Sequence, residues 1–188
     1  NHLIRSALLS KLKNPRFAYI APTFKQAKSI AWDYMKQFTA KIPHTKFNET
    51  ELRVDLPNGS RITLLGSESP DGLRGIYLDG CVIDEYANVN SKLFPEIIRP
   101  ALSDRKGYCV FIGTPMGMNN NFYELYQHAQ GAEDWFNYKA KASDTKIVDE
   151  DELVKAKEVM GEKKYLQEFE CDWIANIEGA VYGDIIAK

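Results

Sequence analysis

No C-x-x-C pair occurs in the sequence, and its three cysteines, Cys81, Cys109 and Cys171, are scattered. An odd count without close spacing argues against a disulfide framework or a zinc site, and for a reducing compartment. Histidine is equally scarce: His2, His44 and His128 stand far apart, at no metal-ligand spacing. No apolar stretch approaches the roughly 18 residues of a membrane span, and nothing resembles a signal peptide. A soluble cytosolic protein with no membrane partner is expected. Internal repeats and low-complexity tracts are missing as well. Net charge is -2, from 24 basic and 26 acidic residues, so no overall basic field advertises nucleic acid, although a local patch remains compatible with that balance. The phosphate-loop pattern G-x-x-x-x-G-K-[ST] is also absent, since no glycine is followed by lysine.

What is present is ordinary globular text. The chain has 188 residues and is 44% hydrophobic, enough to bury the core of one domain. Asn1 to Lys13 reads as a helix with Leu3, Ile4, Ala7, Leu8 and Leu12 on one face. Arg16 to Ala21 is a strand ended by Pro22, and Thr23 with Gln26 forms a capping box for a helix to about Lys41. Its expected stripe is Ala27, Ile30, Ala31, Tyr34, Met35 and Phe38. Glu51 to Leu56 and Arg61 to Leu65 form a hairpin, with Asn58-Gly59 as the turn signal. After a looser segment, Gly66 to Gly75, comes the apolar run Cys81-Val82-Ile83. Asn90 or Ser91 then caps a helix to about Asp104, with Leu93, Phe94, Ile97, Ile98, Ala101 and Leu102 inward and Pro95 in its first turn. Tyr108 to Ile112 is another strand. A helix follows Asn119 to Asn121, with Phe122, Leu125, Tyr126 and Ala129 on one face and Gly131 stopping it. Trp135 to Ala140 alternates as a last strand, and two short helices are expected at about 149–160 and 162–169. Strands alternating with helices through short loops imply a mostly parallel sheet. The expected fold is an α/β three-layer sandwich with an antiparallel edge hairpin.

The chemistry concentrates at three strand ends: Pro22-Thr23, Asp84-Glu85 and Gly113-Thr114-Pro115. If the strands are parallel neighbours, all three lie along one sheet edge, and the carboxyl edge of an open α/β sheet is where ligands bind. Two adjacent acids after a buried strand suit a metal–nucleotide site, one carboxylate for Mg²⁺ and one to orient or deprotonate the attacking water. The missing phosphate loop leaves two readings: the chain is no phosphate-loop enzyme, or the loop preceded Asn1. The second agrees with a sequence that opens mid-helix with its next strand at Arg16. Both ends read as cut from something longer, Val181 to Ile186 resembling the start of a new strand or turn.

In order and spacing, Ala18-Tyr19-Ile20-Ala21-Pro22-Thr23, Gly72-Leu73-Arg74-Gly75, Cys81-Val82-Ile83-Asp84-Glu85-Tyr86-Ala87 and Phe111-Ile112-Gly113-Thr114-Pro115-Met116-Gly117 resemble the ATPase domain of the large terminase subunits of tailed bacteriophages. Tyr165-Leu166-Gln167-Glu168-Phe169, followed by Gly179-Ala180-Val181-Tyr182, is similar to that family's passage into its nuclease domain. The resemblance implies an ATPase domain over 1–175, N-terminally truncated in a phosphate-loop NTPase-like fold, and a linker or start of a nuclease domain over 176–188. It implies ATP and Mg²⁺ as cofactors, Asp84 as the acid that holds Mg²⁺, and Glu85 as the catalytic carboxylate. Gly113 and Thr114 then belong to a coupling motif that senses the γ-phosphate. Arg74 becomes a catalytic finger reaching a neighbouring subunit's ATP site. The implied partners are double-stranded DNA, the portal protein, the small terminase subunit and further copies in a ring. The implied place is the host cytoplasm, docked transiently at the procapsid portal.

Two other classes fit parts of the same text. A helicase-like nucleic-acid-dependent ATPase also places Asp-Glu after a strand with a threonine motif downstream. A non-catalytic α/β assembly module would carry the acids as surface decoration. Thr23, Lys25 and Lys28, near a helix start, are candidate contacts to a DNA backbone. Lys11, Lys13 and Arg16 form a small basic cluster, and Glu68 and Asp71 are candidate partners for Arg74. Tyr19, Tyr34, Phe38, Phe122 and Tyr126 read as core rather than as base-stacking platforms. Without the phosphate loop and its lysine, this stretch alone is expected not to turn over ATP. Without the nuclease domain it is expected not to cut DNA.

Overall fold

The computed structural model describes residues 1–174, in two units that divide between Gly113 and Thr114. The strand or turn expected at Val181 to Ile186, and the linker expected over 176–188, lie outside the described residues. Unit 1 contains strands β1 (Arg16–Ala21), β2 (Lys46–Asn48), β3 (Arg53–Asp55), β4 (Arg61–Gly66), β5 (Gly80–Ile83) and β6 (Tyr108–Phe111) in one sheet, ordered β2-β3-β4-β1-β5-β6. β4, β1, β5 and β6 are mutually parallel, while β2 and β3 extend the sheet antiparallel at one edge. The hairpin therefore joins where the sequence pattern put it, with the short strand β2 added outside it.

Alternation along the strands gives the sheet two faces. On one, Phe17, Ala21, Ile62, Leu64 and Val54 share a buried cluster with Leu3, Ile4 and Ala7 of helix α1 (His2–Leu9) and with Ala27, Trp32 and Met35 of the second helix. On the other, Phe111 meets the ring of Tyr86 at 4.8 Å and that of Phe94 at 4.7 Å, both edge-on. Phe94 belongs to the π-helical stretch Leu93–Ile98, which continues as α4 (Arg99–Ser103). Helices cover both faces, and the α/β sandwich follows. Leu93, Ile97, Ile98, Ala101 and Leu102 point inward as their spacing implies.

The second helix departs from its expected register. It runs as α2 (Phe24–Ala27), a π turn (Lys28–Trp32) and α3 (Asp33–Thr39). Ala27, Trp32, Met35 and Thr39 are buried, whereas Ile30, Tyr34 and Phe38 of the expected stripe are exposed. A π turn holds one residue more than an α turn, so the downstream face rotates by roughly 100°, one residue's step. In α1 the helix stops at Leu9, leaving Leu8 and Leu12 exposed rather than inward. The hairpin turn also differs. Gly59 has φ +84°, Asn58 does not share the left-handed region, and the Gly59 N–H bonds Leu56 O at 3.0 Å. Asn58 instead donates its side-chain amide to Ala7 O at 2.8 Å, tying the turn to α1.

Unit 2, over its described residues, is helical: α5 (Asn121–Ala129), α6 (Ala142–Thr145), α7 (Glu150–Met160) and α8 (Glu162–Phe169). The Asn120 side chain caps α5 by accepting from Phe122 N at 3.0 Å and Tyr123 N at 3.1 Å. Trp173 packs against Phe122 and Tyr123 at 5.3 Å. The strand expected from Trp135 to Ala140 does not form; Phe136 is 87% exposed. Alternation describes one face of a strand, but a strand also needs a partner's backbone to hold it. No helix among the described residues is long and apolar enough to cross a membrane.

Candidate active site

β1, β5 and β6 are adjacent and parallel, so their carboxyl ends fall on one edge of the sheet. That edge carries Pro22-Thr23 after β1, Asp84-Glu85 after β5 and Gly113 after β6. Asp84 leaves the strand while still tied to it, its N–H donating to Ile20 O on β1 at 2.8 Å. Glu85 takes the left-handed conformation, φ 49° and ψ 45°. For a residue with a Cβ this is uncommon and costs about 1–2 kcal/mol. It turns the chain sharply out of β5 into a 3₁₀ turn, Tyr86–Asn88. Bonds on both sides hold the turn: Tyr86 N–H to Ile112 O at 3.1 Å and Asn88 N–H to Glu85 O at 2.8 Å. Both acids are only partly buried, which leaves them reachable from solvent.

The Asp84 carboxylate is itself positioned. Its Oδ1 accepts from the Glu85 N–H at 2.9 Å, and its Oδ2 accepts from the Tyr19 hydroxyl. Burial, the bond to Asp84 and the negative charge of both acids push the Tyr19 phenol well above its ordinary range. The hydroxyl therefore stays protonated and acts as donor. A Mg²⁺ ion that keeps most of its waters needs hard oxygen and one or two carboxylates, not a protein cage. Asp84 fits that requirement: with one bond accepted at each oxygen, each keeps a lone pair. Among the described residues no cluster of three or more His, Cys, Asp or Glu could hold a metal.

Arg74 follows a 3₁₀ turn, Pro70–Leu73. Its guanidinium bonds Asp71 at 2.8 Å and lies 3.5 Å from Glu96, with its side chain 55% exposed. The Asp71 pairing agrees with the sequence reading. Glu68 does something else: both its oxygens accept from the Phe24 N–H, at 2.8 and 3.1 Å. Gly66 permits this approach, since a Cβ there would lie 1.9 Å from Glu68 Oε2 and 2.2 Å from Phe24 N. The first N–H of α2 is thus already paired with the chain's own carboxylate, although Lys25 and Lys28 are exposed beside it. Thr23 caps this helix by accepting from the Gln26 N–H at 3.1 Å. The Gln26 side chain does not reach the backbone as a capping box requires; it accepts from the Thr23 hydroxyl at 2.9 Å.

Gly113 is the last residue of unit 1 and Thr114 the first of unit 2, partly buried ahead of buried Pro115. Behind the acids, Cys81 and Cys109 are free thiols whose sulfurs lie 3.3 Å apart on β5 and β6, and burial pushes the Cys109 thiol far up. Sequence reasoning assigned Tyr19 to the core and gave Glu96 no role. Period-two alternation puts Tyr19 on the face of Phe17 and Ala21, but only the strand order sets it beside Asp84.

Residues 4–184 match the family described as "Terminase large subunit, T4likevirus-type, N-terminal". The large terminase subunit of Thermus phage G20c is 30% identical to this chain, over 57% of this chain and 26% of its own length. The chain thus spans about a quarter of the length of the curated relatives it matches. The large terminase ATPase domain of Thermus phage P74-26 has the same fold, with a TM-score of 0.73 at 22% identity over 89% of this chain and 80% of that one. The large terminase of another thermophilic bacteriophage, solved in complex with ATP-gamma-S, gives a TM-score of 0.67 at 14% identity over 92% of this chain and 42% of that one.

Proposed function

Because this chain belongs to the family of T4-like terminase large subunits, as part of its N-terminal region, we propose that it is the acid-bearing part of an ATP-driven motor that moves double-stranded DNA into a procapsid. The observation that carries this reading is the pair Asp84-Glu85, set at the carboxyl end of β5 by a left-handed turn. Phosphoryl transfer needs in-line positioning and charge neutralisation more than covalent help. Asp84 presents a carboxylate held by two donors and is the Mg²⁺ acid. Mg²⁺ bound there would neutralise charge on the phosphate oxygens of ATP. Glu85, partly exposed one residue further, orients the attacking water and draws its proton. Gly113 and Thr114 follow the neighbouring strand and form the coupling segment, the Thr114 hydroxyl sensing the γ-phosphate.

Arg74 serves a neighbouring subunit's site, which requires a ring of copies. The portal protein, the small terminase subunit and DNA are the proposed partners, and the procapsid portal in the host cytoplasm the place of action. The thermophilic phage terminase solved with ATP-gamma-S supports nucleotide as the ligand of this fold. Family membership favours packaging over the helicase-like and assembly alternatives. The test is Glu85→Gln in a full-length terminase large subunit carrying this chain. Nucleotide binding is expected to persist while ATP hydrolysis falls by about 10² to 10⁴, the usual contribution of a positioned acid or base. Near wild-type hydrolysis contradicts the assignment.

A further inference from the structure

Asp84 is gripped from a second strand. Tyr19 on β1 stands opposite Val82 on β5 in the parallel register. Asp84 lies two residues beyond Val82, so strand alternation puts it on the same face as Tyr19. Two residues of strand span about 6.6 Å, and the long tyrosine side chain covers that gap to place its hydroxyl on Asp84 Oδ2. Serine at this position would fall short, and phenylalanine would bring no donor. Both ends of the contact rest on ladder hydrogen bonds. Tyr19 sits between Leu64 on β4 and Val82 on β5, and Asp84 N–H is bonded to Ile20 O at 2.8 Å. The second oxygen is fixed by the Glu85 N–H at 2.9 Å.

We propose that Tyr19 is a positioning residue for the metal-holding carboxylate, its hydroxyl setting the orientation in which Asp84 offers its free lone pairs to Mg²⁺. This rests on the reading of Asp84 as the Mg²⁺ acid. With one oxygen held by Tyr19 of β1 and the other by the Glu85 N–H in the turn after β5, the carboxylate cannot rotate without breaking a bond. The metal therefore meets a preset ligand. Outer-shell donors of this kind are worth about 10- to 100-fold in metal affinity.

The experiment uses a full-length terminase large subunit carrying this chain, in wild-type, Tyr19→Phe and Asp84→Asn forms. Mn²⁺ serves as the probe, its free concentration read by electron paramagnetic resonance in the presence of ATP-gamma-S. The Mg²⁺ dependence of ATPase activity and the urea unfolding midpoint are measured beside it. Tyr19→Phe keeps the ring and its packing, so the protein folds. Mn²⁺ affinity is expected to fall about 10- to 100-fold, and the Mg²⁺ concentration for half-maximal activity to rise by a similar factor. A purely structural tyrosine would move the unfolding midpoint alone. Wild-type or tighter Mn²⁺ affinity in Tyr19→Phe, with Asp84→Asn strongly impaired, overturns the proposal and leaves Asp84 as the metal acid. Unimpaired Mn²⁺ affinity in Asp84→Asn overturns the reading of Asp84, and the role of Tyr19 with it.

Discussion

Asp79 and Asp84 bracket β5, and their surroundings separate a structural acid from a chemical one. Asp79 is 6% exposed and held by three donors: its Oδ2 accepts from the Arg16 N–H at 2.7 Å and from an Arg105 terminal nitrogen at 3.4 Å, and its Oδ1 from Arg105 Nε at 2.8 Å. The Arg105 guanidinium in turn lies over the Tyr77 ring at 5.1 Å. Asp79 is buried, whereas Asp84 is only partly so. Asp79→Ala is expected to lower stability by about 1–3 kcal/mol, because the Arg16 N–H loses its acceptor. Urea denaturation of this chain measures it. The local signal of two acids after an apolar run made Asp84 and Glu85 legible in the sequence. Nothing local marks Tyr19 or Arg105, whose partners lie 65 and 26 residues away and are chosen by strand order.

Among the elements, β1, β5 and β6 were legible because each is a short, largely apolar run, and β4 because a turn signal precedes it. β1 begins and ends at its expected residues, and β5 and β6 differ by a single terminal residue each. The helix over 24–39 was legible as a helix but not in its facing. A π turn follows from how the side chains pack around it rather than from the periodicity of the sequence. Its effect is measurable. Trp32 is 2% exposed, with its indole N–H donating to Glu49 Oε2 at 2.7 Å, whereas Phe38 is 47% exposed. Trp32→Ala is expected to cost about 3–5 kcal/mol, and Phe38→Ala less than about 0.5 kcal/mol. Chemical denaturation of the two variants distinguishes this facing from the uninterrupted helix, which would reverse their order. The stretch 135–140 shows the opposite error: its alternation is real, yet strand pairing is a property of two segments and one segment cannot display it.

For the whole molecule, the order of strands β1, β5 and β6 turns three separate motifs into one edge, and the sequence implied that edge without fixing the order. Arg74 belongs to this scale. It is held by Asp71 and Glu96 of its own chain, and the proposed motor has it act on the next subunit. Subunits carrying Arg74→Ala and subunits carrying Glu85→Gln, each inactive alone, are expected to regain ATPase activity when mixed in full-length form. One subunit then contributes the intact acid and its neighbour the intact arginine. Absence of recovery argues against action between subunits. Backbone conformation alone favours glycine over glutamate at residue 85. Its left-handed backbone would relax with glycine, which enters that region without a Cβ penalty. A copy of the gene released from its task would therefore drift at this codon early, gaining stability as it lost the acid. A glycine here in a diverged copy would mark the loss of the proposed catalytic acid.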